Sequence, residues 1–472
     1  MTEPLTAPAR SVRSGPSPRL ASALLGLLAV ATTVGYLLLG LAGQRGAGGE
    51  VYWAMLGLGT VALVAGVWVG RRARVRDALW IGLVAAAVIR AVLVPLEPQL
   101  STDLYRYLWD GQVQAAGINP YVHAPEAASL EGFRDAHVDW ESINREWART
   151  IYPPVAQFLF AGAHQLGIDT PTGWKALTSG ADLAAALLLV PALRAAGRDR
   201  RWALAYAWNP LPVMAFALAG HLDAFVTLAV VGAVLAWWRS RAVATGALLG
   251  IAGGLKLFPL MLLVAFARDR EGRWRWRPIL AMGGGALAVL AAGYAVYLSA
   301  GADVLGYLST GYLDEEGYTD ANRFRLASAL GLDGRLVTPL VALGVGVAVL
   351  RSRRPAPTRG AWLLGAALVL TVPFSWYAAP LVALAVAGGA GWAWGGFAIA
   401  LHAAYVAIFH SAALAPLTGG AALSTPVRTT AAAVIVLIAV AAIRWPAARR
   451  AVLWQPPAAD RELDASPPRL AP

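Results

Sequence analysis

"LASALLGLLAVATTVGYLLLGL", residues 20–41, is an unbroken apolar run without a charged residue or a proline. A transmembrane α-helix needs about 20 such residues, so this run is long enough to cross a bilayer. It is also longer than the apolar core of a cleaved signal peptide, which favours a retained anchor. Comparable runs follow at 51–70 and 78–96. Their repetition predicts an α-helical protein with several membrane spans.

The composition supports the same fold class. Of the 472 residues, 58% are hydrophobic and 14% are charged, which is typical of polytopic membrane proteins rather than of several soluble domains. The net charge of +12 comes from short basic clusters between apolar runs. Such clusters mark cytoplasmic loops, so the charge does not indicate a nucleic-acid partner. The absence of cysteine excludes disulfides and thiolate metal sites.

The basic clusters predict the orientation of the first spans. Arg10, Arg13 and Arg19 precede the first run, and an arginine cluster at 71–76 separates the second from the third. Because cytoplasmic loops carry the excess of positive residues, we expect a cytoplasmic N-terminus and a third span that leads outward. The large loop that begins at Glu97 is then extracytoplasmic. Further spans are expected near 173–194, 202–219, 222–238, 278–299, 336–350, 360–373, 378–391, 394–412 and 428–445.

Two apolar segments do not fit simple spans. The stretch "IYPPVAQFLFAGAHQLG" at 151–167 has only about 13 apolar residues, too few to cross, and predicts a helix at the outer interface. Residues 242–267 form either one span or a hairpin bent near Gly253, Gly254 and Pro259. The hairpin is favoured, because a single crossing would place the later arginine clusters outside. Either form leaves a lysine at the middle of the segment.

The expected architecture is one membrane domain between two short tails. We predict an all-α polytopic protein with about 12–14 transmembrane helices and both termini in the cytoplasm. The membrane domain spans 20–445, with large outer loops at 97–172 and 300–335. The polar, proline-rich segments 1–19 and 446–472 are predicted to be disordered cytoplasmic ends.

The stretch "STDLYRYLWDG" at 101–111 carries the first candidate site residues, directly after the third span. In a helix, Asp103, Arg106, Tyr107 and Asp110 share one stripe, at spacings i, i+3, i+4 and i+7. Two interpretations are open. Asp103 can cap the helix and pair with Arg106, or the two acids can flank a base at the mouth of an outer cavity and take a proton from a hydroxyl.

Other charged residues also have two interpretations. His221 and Asp223 in "GHLD" suit either an ordinary turn or a site. Lys256, one of only two lysines, either extends to the membrane surface or lies at the outward-facing bend of 242–267 as a point charge for a phosphate. Arg323 and Arg325 suit either a solvated helix or the same phosphate. No His, Asp and Glu set has recognisable metal-ligand spacing.

One buried charge has a structural interpretation only. Arg90 lies within the third apolar run, where an ionised side chain is costly unless it is paired. We expect it to pair with an acid in the bundle and give it no part in the site.

Several motifs together resemble the GT-C superfamily of integral membrane glycosyltransferases, and most of all its bacterial mannosyltransferase-type members. They occur in the family's order and are "DLYRYLWDGQVQAAGINPY" at 103–121, "IYPPVAQFLF" at 151–160, "NPLPVMAFALAGHLDAF" at 209–225, "GLKLFP" at 254–259 and "SWYAAPL" at 375–381. The resemblance implies a GT-C-like fold, with juxtamembrane helices in the first large outer loop.

The resemblance also implies an activity. Such enzymes move a hexose, here expected to be mannose, from a polyprenyl-phosphate donor to a lipid-linked or cell-envelope glycan, and they invert the anomeric centre. Asp103 occupies the position of the catalytic base, and Lys256 with an arginine of the 312–325 loop would stabilise the leaving phosphate. The expected substrate-binding residues are Arg106, Tyr107, Asp110, Tyr152, His221, Asp223, Lys256, Arg323, Trp376 and Tyr377.

The remaining expectations follow from that activity. The sugar arrives on a lipid, so the partners are the lipid-linked donor, a glycan or glycolipid acceptor and membrane lipid, with no nucleotide and no cofactor. The family is mixed on divalent metals, and this sequence has no clear metal site. The expected location is the bacterial plasma membrane, with the active site on the extracytoplasmic side.

Two other functions fit a membrane protein with a large outer loop. A polymerase or ligase would join two lipid-linked glycans, and a transporter would move a lipid-linked saccharide. Transporters commonly show internal repeats and polar residues near the midplane. Here no repeat is visible, and the charged candidates collect on the outer side.

Overall fold

The computed structural model describes residues 16–45, 50–98, 100–134, 140–319, 323, 324, 327, 330–371 and 374–409. That part of the chain is helical, with a single isolated β-bridge between Arg268 and Trp274, so the all-α prediction is confirmed. The helices of ten or more residues within it are α1 (Pro18–Gln44), α2 (Glu50–Gly70), α3 (Val75–Leu93), α4 (Asp103–Ala115), α5 (Pro154–Gln165), α6 (Pro171–Ala195), α7 (Asp223–Trp238), α8 (Ala242–Leu255), α9 (Trp276–Ala295), α10 (Gly334–Arg351), α11 (Ala356–Thr371), α12 (Ala379–Gly388) and α13 (Gly391–Phe409).

Five of these helices are long and apolar enough to cross a membrane: α1, α2, α6, α9 and α10. They coincide with predicted spans, and the protein is a polytopic membrane protein. The figure of 12–14 crossings stays a prediction. The expected span at 428–445 and the tail at 446–472 lie outside the described residues, as do the first fifteen residues.

Local sequence signals set the helix starts near the site. At α6, Thr170 accepts a hydrogen bond from the Gly173 amide at 3.1 Å, and Pro171 takes the first helical position. At α5, Pro154 takes the first position after Pro153. Proline is tolerated there because the first amides of a helix have no intrahelical partner.

Glycines allow α8 and α9 to pack closely. A Cβ on Gly246 would lie 1.8 Å from the Met282 carbonyl oxygen, and one on Gly285 would lie 2.5 Å from that of Val243. Small residues at such positions bring two backbones within van der Waals contact, which is a principal source of helix association in a bilayer. The pair forms a rigid side of the bundle.

The predicted span at 202–219 is not one helix. It divides into a short helix at Leu204–Ala207, a turn at Pro210–Pro212 and a π-helix at Val213–Leu218. A proline removes a backbone donor and clashes with the preceding turn, so the two prolines end the first helix. Asn209 begins the next turn by accepting from the Leu211 amide at 3.0 Å.

The segment 242–267 is a broken hairpin. Helix α8 ends at Leu255, and Lys256 has an extended backbone, with φ −148° and ψ 140°. Both ends of the segment lie together, since the Trp237 indole donates to the Arg268 carbonyl at 3.2 Å and Arg270 donates to the Trp238 carbonyl at 3.0 Å. A single span would place those ends at opposite faces of the bundle.

Helices α4 and α5, near the site, are too short to span a membrane. Helix α5 has 12 residues and is therefore about 18 Å long. It packs against α4, where a Cβ on Gly111 would lie only 2.5 Å from the Phe160 carbonyl oxygen. Within the bundle, Arg90 of α3 pairs with Asp182 of α6 at 2.6 Å, both fully buried. The acid expected for Arg90 is therefore Asp182.

Candidate active site

A cavity of about 480 Å³ lies where the first residues of α4, the break after α8 and the segment before α12 meet. Described residues of the two outer loops, 97–172 and 300–335, line it together. Arg145 of the first pairs with Glu315 of the second at 2.7 Å, and Arg149 pairs with Asp303 at 2.8 Å. The polar and aromatic side chains of its wall are Ser101, Thr102, Asp103, Asn144, Arg145, Tyr152, Lys256, Phe258, Tyr312, Tyr318, Phe374, Trp376, Tyr377 and Tyr405.

Asp103, the first residue of α4, is the only carboxylate among those lining residues of the described chain. One of its oxygens accepts a hydrogen bond from the Asn144 amide at 2.8 Å, and the other lies 3.5 Å from His221 Nδ1. The side chain is 20% exposed, so the carboxylate is positioned by its neighbours and still accessible from the cavity. This is the geometry of a carboxylate that can meet a substrate hydroxyl.

The environment keeps Asp103 ionised. Burial alone would raise its pKa, but the neighbouring His221, the charge of Lys256 and the Asn144 amide together lower the pKa from 3.8 to about 2. Because its folded pKa is depressed, Asp103 is fully ionised above its ordinary pKa. It loses its charge only as the pH falls through the folded value.

We expect Asn144→Ala to move the acid limb of the pH–rate profile. Without that amide, the smallest of these contributions, the pKa of Asp103 rises part of the way toward 3.8, so kcat/KM near pH 3 falls relative to kcat/KM at pH 7. Asn119→Ala is the control, since Asn119 lies in the same loop and bonds to Ser299. An unchanged acid limb in Asn144→Ala would exclude this role for the amide.

Lys256 lies on the cavity wall and is paired with Asp223. Its ammonium is 2.7 Å from an Asp223 oxygen and 4.4 Å from the centre of the Tyr377 ring. Asp223 is fully buried at the start of α7, where the helix dipole favours a negative charge. An ammonium has three donors, so one bond to Asp223 leaves two for a ligand.

His221 is fixed by an aromatic stack. Its ring lies 3.6 Å from the Trp376 ring at 17°, and Phe374 also stacks on Trp376 at 4.9 Å. The turn before it is held by the Trp174 indole, which donates to the Gly220 carbonyl at 2.7 Å. Gly220 has φ +74°, a conformation that glycine adopts without strain.

The predicted stripe of "STDLYRYLWDG" divides into two parts. Asp103 faces the cavity, whereas Arg106 and Asp110 are buried and do not line it. These two pair at 2.8 Å, and Gln157 donates to the second Asp110 oxygen at 2.9 Å. Arg106 also donates to the carbonyl of Ala148 at 2.9 Å. The geometry therefore supports a scaffold role for Asp110, which orients the arginine that holds the outer loop.

We expect Asp110→Ala to destabilise the protein. Removing one partner of a buried ion pair leaves Arg106 uncompensated, which costs about 3 kcal/mol or more. The thermal unfolding midpoint should fall, while Asp103→Asn, at a partly exposed position, should change it little. An inactive Asp110→Ala protein with the wild-type midpoint would instead indicate a direct contact with substrate.

The aromatic candidates also separate by position. Tyr152, Trp376 and Tyr377 line the cavity. Tyr107 is fully buried and stacks on Phe160 at 4.9 Å, so it supports the wall from behind.

Arg323 lies beside the cavity rather than on its wall. It pairs with Glu316 at 2.6 Å and lies 5.3 Å from the centre of the Phe374 ring, a lining residue. The sequence alternative Arg325 lies outside the described residues.

Several lining residues had no signal in the sequence. Asn144 and Arg145 belong to a long polar loop without helical periodicity, so nothing in that loop pointed to them. Arg145 has a left-handed backbone, with φ +52°, which costs about 1 kcal/mol for a non-glycine residue and is common at functional sites. Tyr312 and Tyr318 lie in the second loop, and only folding brings them to this wall.

The comparison with known families matches part of the chain. Residues 150–380, just under half of the chain, match the family model of glycosyltransferase family 87. Over this region the chain is similar to glycosyltransferase family 87. This is a GT-C-like family of membrane glycosyltransferases, so the resemblance found in the sequence is confirmed, and the assignment indicates glycosyltransferase activity. No curated protein matches the chain.

The matched region holds most of the candidate site residues. His221, Asp223 and Lys256 lie within it, as do Trp376 and Tyr377. Asp103 precedes the matched region and lines the same cavity from the start of α4. Among the described residues no group of three His, Asp or Glu side chains is arranged to hold a metal ion, so the expectation about metals stays a prediction.

Proposed function

We propose that this glycosyltransferase moves a hexose, expected to be mannose, from a polyprenyl-phosphate donor to a lipid-linked or cell-envelope glycan. The reaction takes place at the cavity that contains Asp103, on the extracytoplasmic side of a bacterial plasma membrane. The proposal rests mainly on two groups that line one cavity, the carboxylate of Asp103 and the ammonium of Lys256. An ionised carboxylate and a lysine face the same 480 Å³ space, as transfer between a hydroxyl and a phosphate requires.

The transfer is a single displacement that inverts the anomeric centre. The acceptor hydroxyl oxygen forms a bond to the anomeric carbon while the bond from that carbon to the phosphate oxygen breaks. The electron pair of the broken bond leaves with polyprenyl phosphate. The hydroxyl proton passes to a carboxylate oxygen of Asp103, so no other acid or base is needed.

The low pKa of Asp103 bears on when the proton moves. A carboxylate with a pKa of about 2 is ionised at neutral pH but is a weak base. It accepts the proton as the new bond forms, because the hydroxyl becomes strongly acidic once its oxygen bonds to the sugar. Before that point, the carboxylate orients the hydroxyl by accepting its hydrogen bond.

The cations of the wall suit the leaving phosphate. Lys256 has donors left beyond its bond to Asp223. Arg145 also lines the wall, where it pairs with Glu315 and Glu316. Charge that develops on a phosphate is stabilised most by donors already in place. Beside them, Leu257 and Leu313 are 38% and 47% exposed and offer an apolar surface to the lipid chain.

Mass spectrometry of cells with and without the gene tests the proposed function. A glycosyltransferase predicts that loss of the gene shortens a lipid-linked or surface glycan by the transferred hexose and that the unextended acceptor accumulates. Complete single repeat units that are not joined would indicate a polymerase or ligase instead. Complete lipid-linked glycan held on the cytoplasmic side would indicate a transporter.

A further inference from the structure

A second cavity, of about 240 Å³, lies at the other end of α8 from the catalytic site. Lys256 follows the last residue of α8, whereas Ala242 and Thr245 of its first turns line the second cavity. A helix of 14 residues is about 21 Å long. The two cavities are therefore at opposite ends of the bundle, and the second one plays no part in the proposed reaction.

One half of this second cavity is apolar. Trp237 from the end of α7, Phe266 from the hairpin and Ile279 and Met282 from α9 form that half. Trp237, Phe266 and Met282 are nearly fully buried. The cavity thus enters the bundle between three helices, where an acyl chain or a glycerol group finds an apolar surface.

The other half is strongly basic. It contains Arg241, Arg268, Arg270, Arg273 and Arg275 against two acids, Asp269 and Glu271. The acids are already paired, since Asp269 lies 3.0 Å from Arg275 and Glu271 lies 2.6 Å from Arg273.

Three arginines of the rim remain without an acidic partner. In the described chain neither Arg241, Arg268 nor Arg270 has a carboxylate within ion-pair distance. Arg268 and Arg270 donate to backbone carbonyls, and Arg241 is exposed. The cavity therefore has an excess of positive charge that an anion would balance.

The position of the cavity near the membrane surface indicates that the anion is a lipid headgroup. Trp274 and Trp276 beside it are 44% and 73% exposed, and tryptophan is enriched where helices leave the bilayer. Basic pockets between helices at that level bind the headgroups of anionic lipids. A soluble anion would use the arginines but would leave the apolar half unfilled.

We propose that this second cavity is a binding site for an anionic phospholipid. Its phosphate lies among the unpaired arginines, and its glycerol and acyl chain pack against the apolar half. The site is distinct from the catalytic cavity and would hold lipid at the opposite face of the membrane.

Retention of labelled phosphatidylglycerol on the full-length protein, purified in phosphatidylcholine mixed micelles, tests the proposal. We expect wild type to retain phosphatidylglycerol in preference to phosphatidylcholine. Arg241→Gln should weaken that retention about five-fold, as expected for one arginine near a lipid phosphate. Arg239→Gln is the matched control, because Arg239 is exposed two residues away and does not line the cavity.

A second variant tests the apolar half without changing the charge. Ile279→Trp fills this part of the cavity and should also reduce phosphatidylglycerol retention. Equal retention by wild type, Arg241→Gln and Ile279→Trp would overturn the proposal, as would equal loss in Arg239→Gln. Displacement of the labelled lipid by an excess of inorganic phosphate would identify a site for a soluble anion and would also overturn it.

Discussion

Replacing Asp103 by asparagine is expected to reduce sugar transfer by about 100- to 10,000-fold, the range that general-base catalysis contributes. The amide has nearly the same shape as the carboxylate but cannot accept the acceptor's proton. Because Asp103 is partly exposed at the start of α4, the variant should fold normally. The effect belongs in kcat, since the amide can still hydrogen-bond the acceptor hydroxyl. Initial rates with a purified polyprenyl-phosphate sugar and an acceptor measure it.

The matched control is Asp169→Asn. Asp169 lies in the first outer loop, pairs with His164 and is 33% exposed, so its replacement removes one carboxylate without touching the cavity wall. It should leave transfer near the wild-type rate. If Asp103→Asn transferred sugar as fast as this control, Asp103 would not be the base.

Replacing Lys256 by methionine is expected to reduce kcat/KM for the donor by about 100-fold. The change removes a preorganised cation from the position where the phosphate leaves, and losing one such donor costs roughly that factor. It also leaves the buried Asp223 carboxylate without its partner at 2.7 Å. The acceptor's KM should change much less, because the acceptor meets Asp103. Equal losses for both substrates would count against a phosphate role.

A double variant separates the two contributions of Lys256. In Asp223→Asn/Lys256→Met both charges are absent, so no unpaired carboxylate remains in the core. If Lys256 binds phosphate, the double variant stays impaired with the donor. If its role is only to neutralise Asp223, the double variant recovers most of the wild-type activity.

The sequence predicted the spans and some of the site for one physical reason. Apolar runs and arginine clusters are local signals, so α1, α6 and α9 appear close to their predicted bounds. The hairpin at 242–267 was favoured only because it keeps the later arginine clusters on the cytoplasmic side. Its break at Lys256 then appeared in the extended backbone of that residue.

The rest depended on contacts between distant segments. Asp103 and Asp110 look alike on a helical stripe, and nothing local distinguishes the acid that meets the cavity from the one that holds Arg106. Asn144 became visible only when its loop packed against α4. The single span predicted at 202–219 was wrong for a local reason, because Pro210 and Pro212 interrupt an otherwise apolar run.

The anomeric configuration of the product tests the proposed inverting displacement most directly. Purified wild-type protein is given a polyprenyl-phosphate sugar of known configuration and an acceptor, and the new linkage is assigned by NMR. The proposed single displacement predicts one product with the configuration inverted relative to the donor, released with an equal amount of polyprenyl phosphate. A product with the donor's configuration would contradict it, because retention requires a second nucleophile that Asp103 alone does not provide.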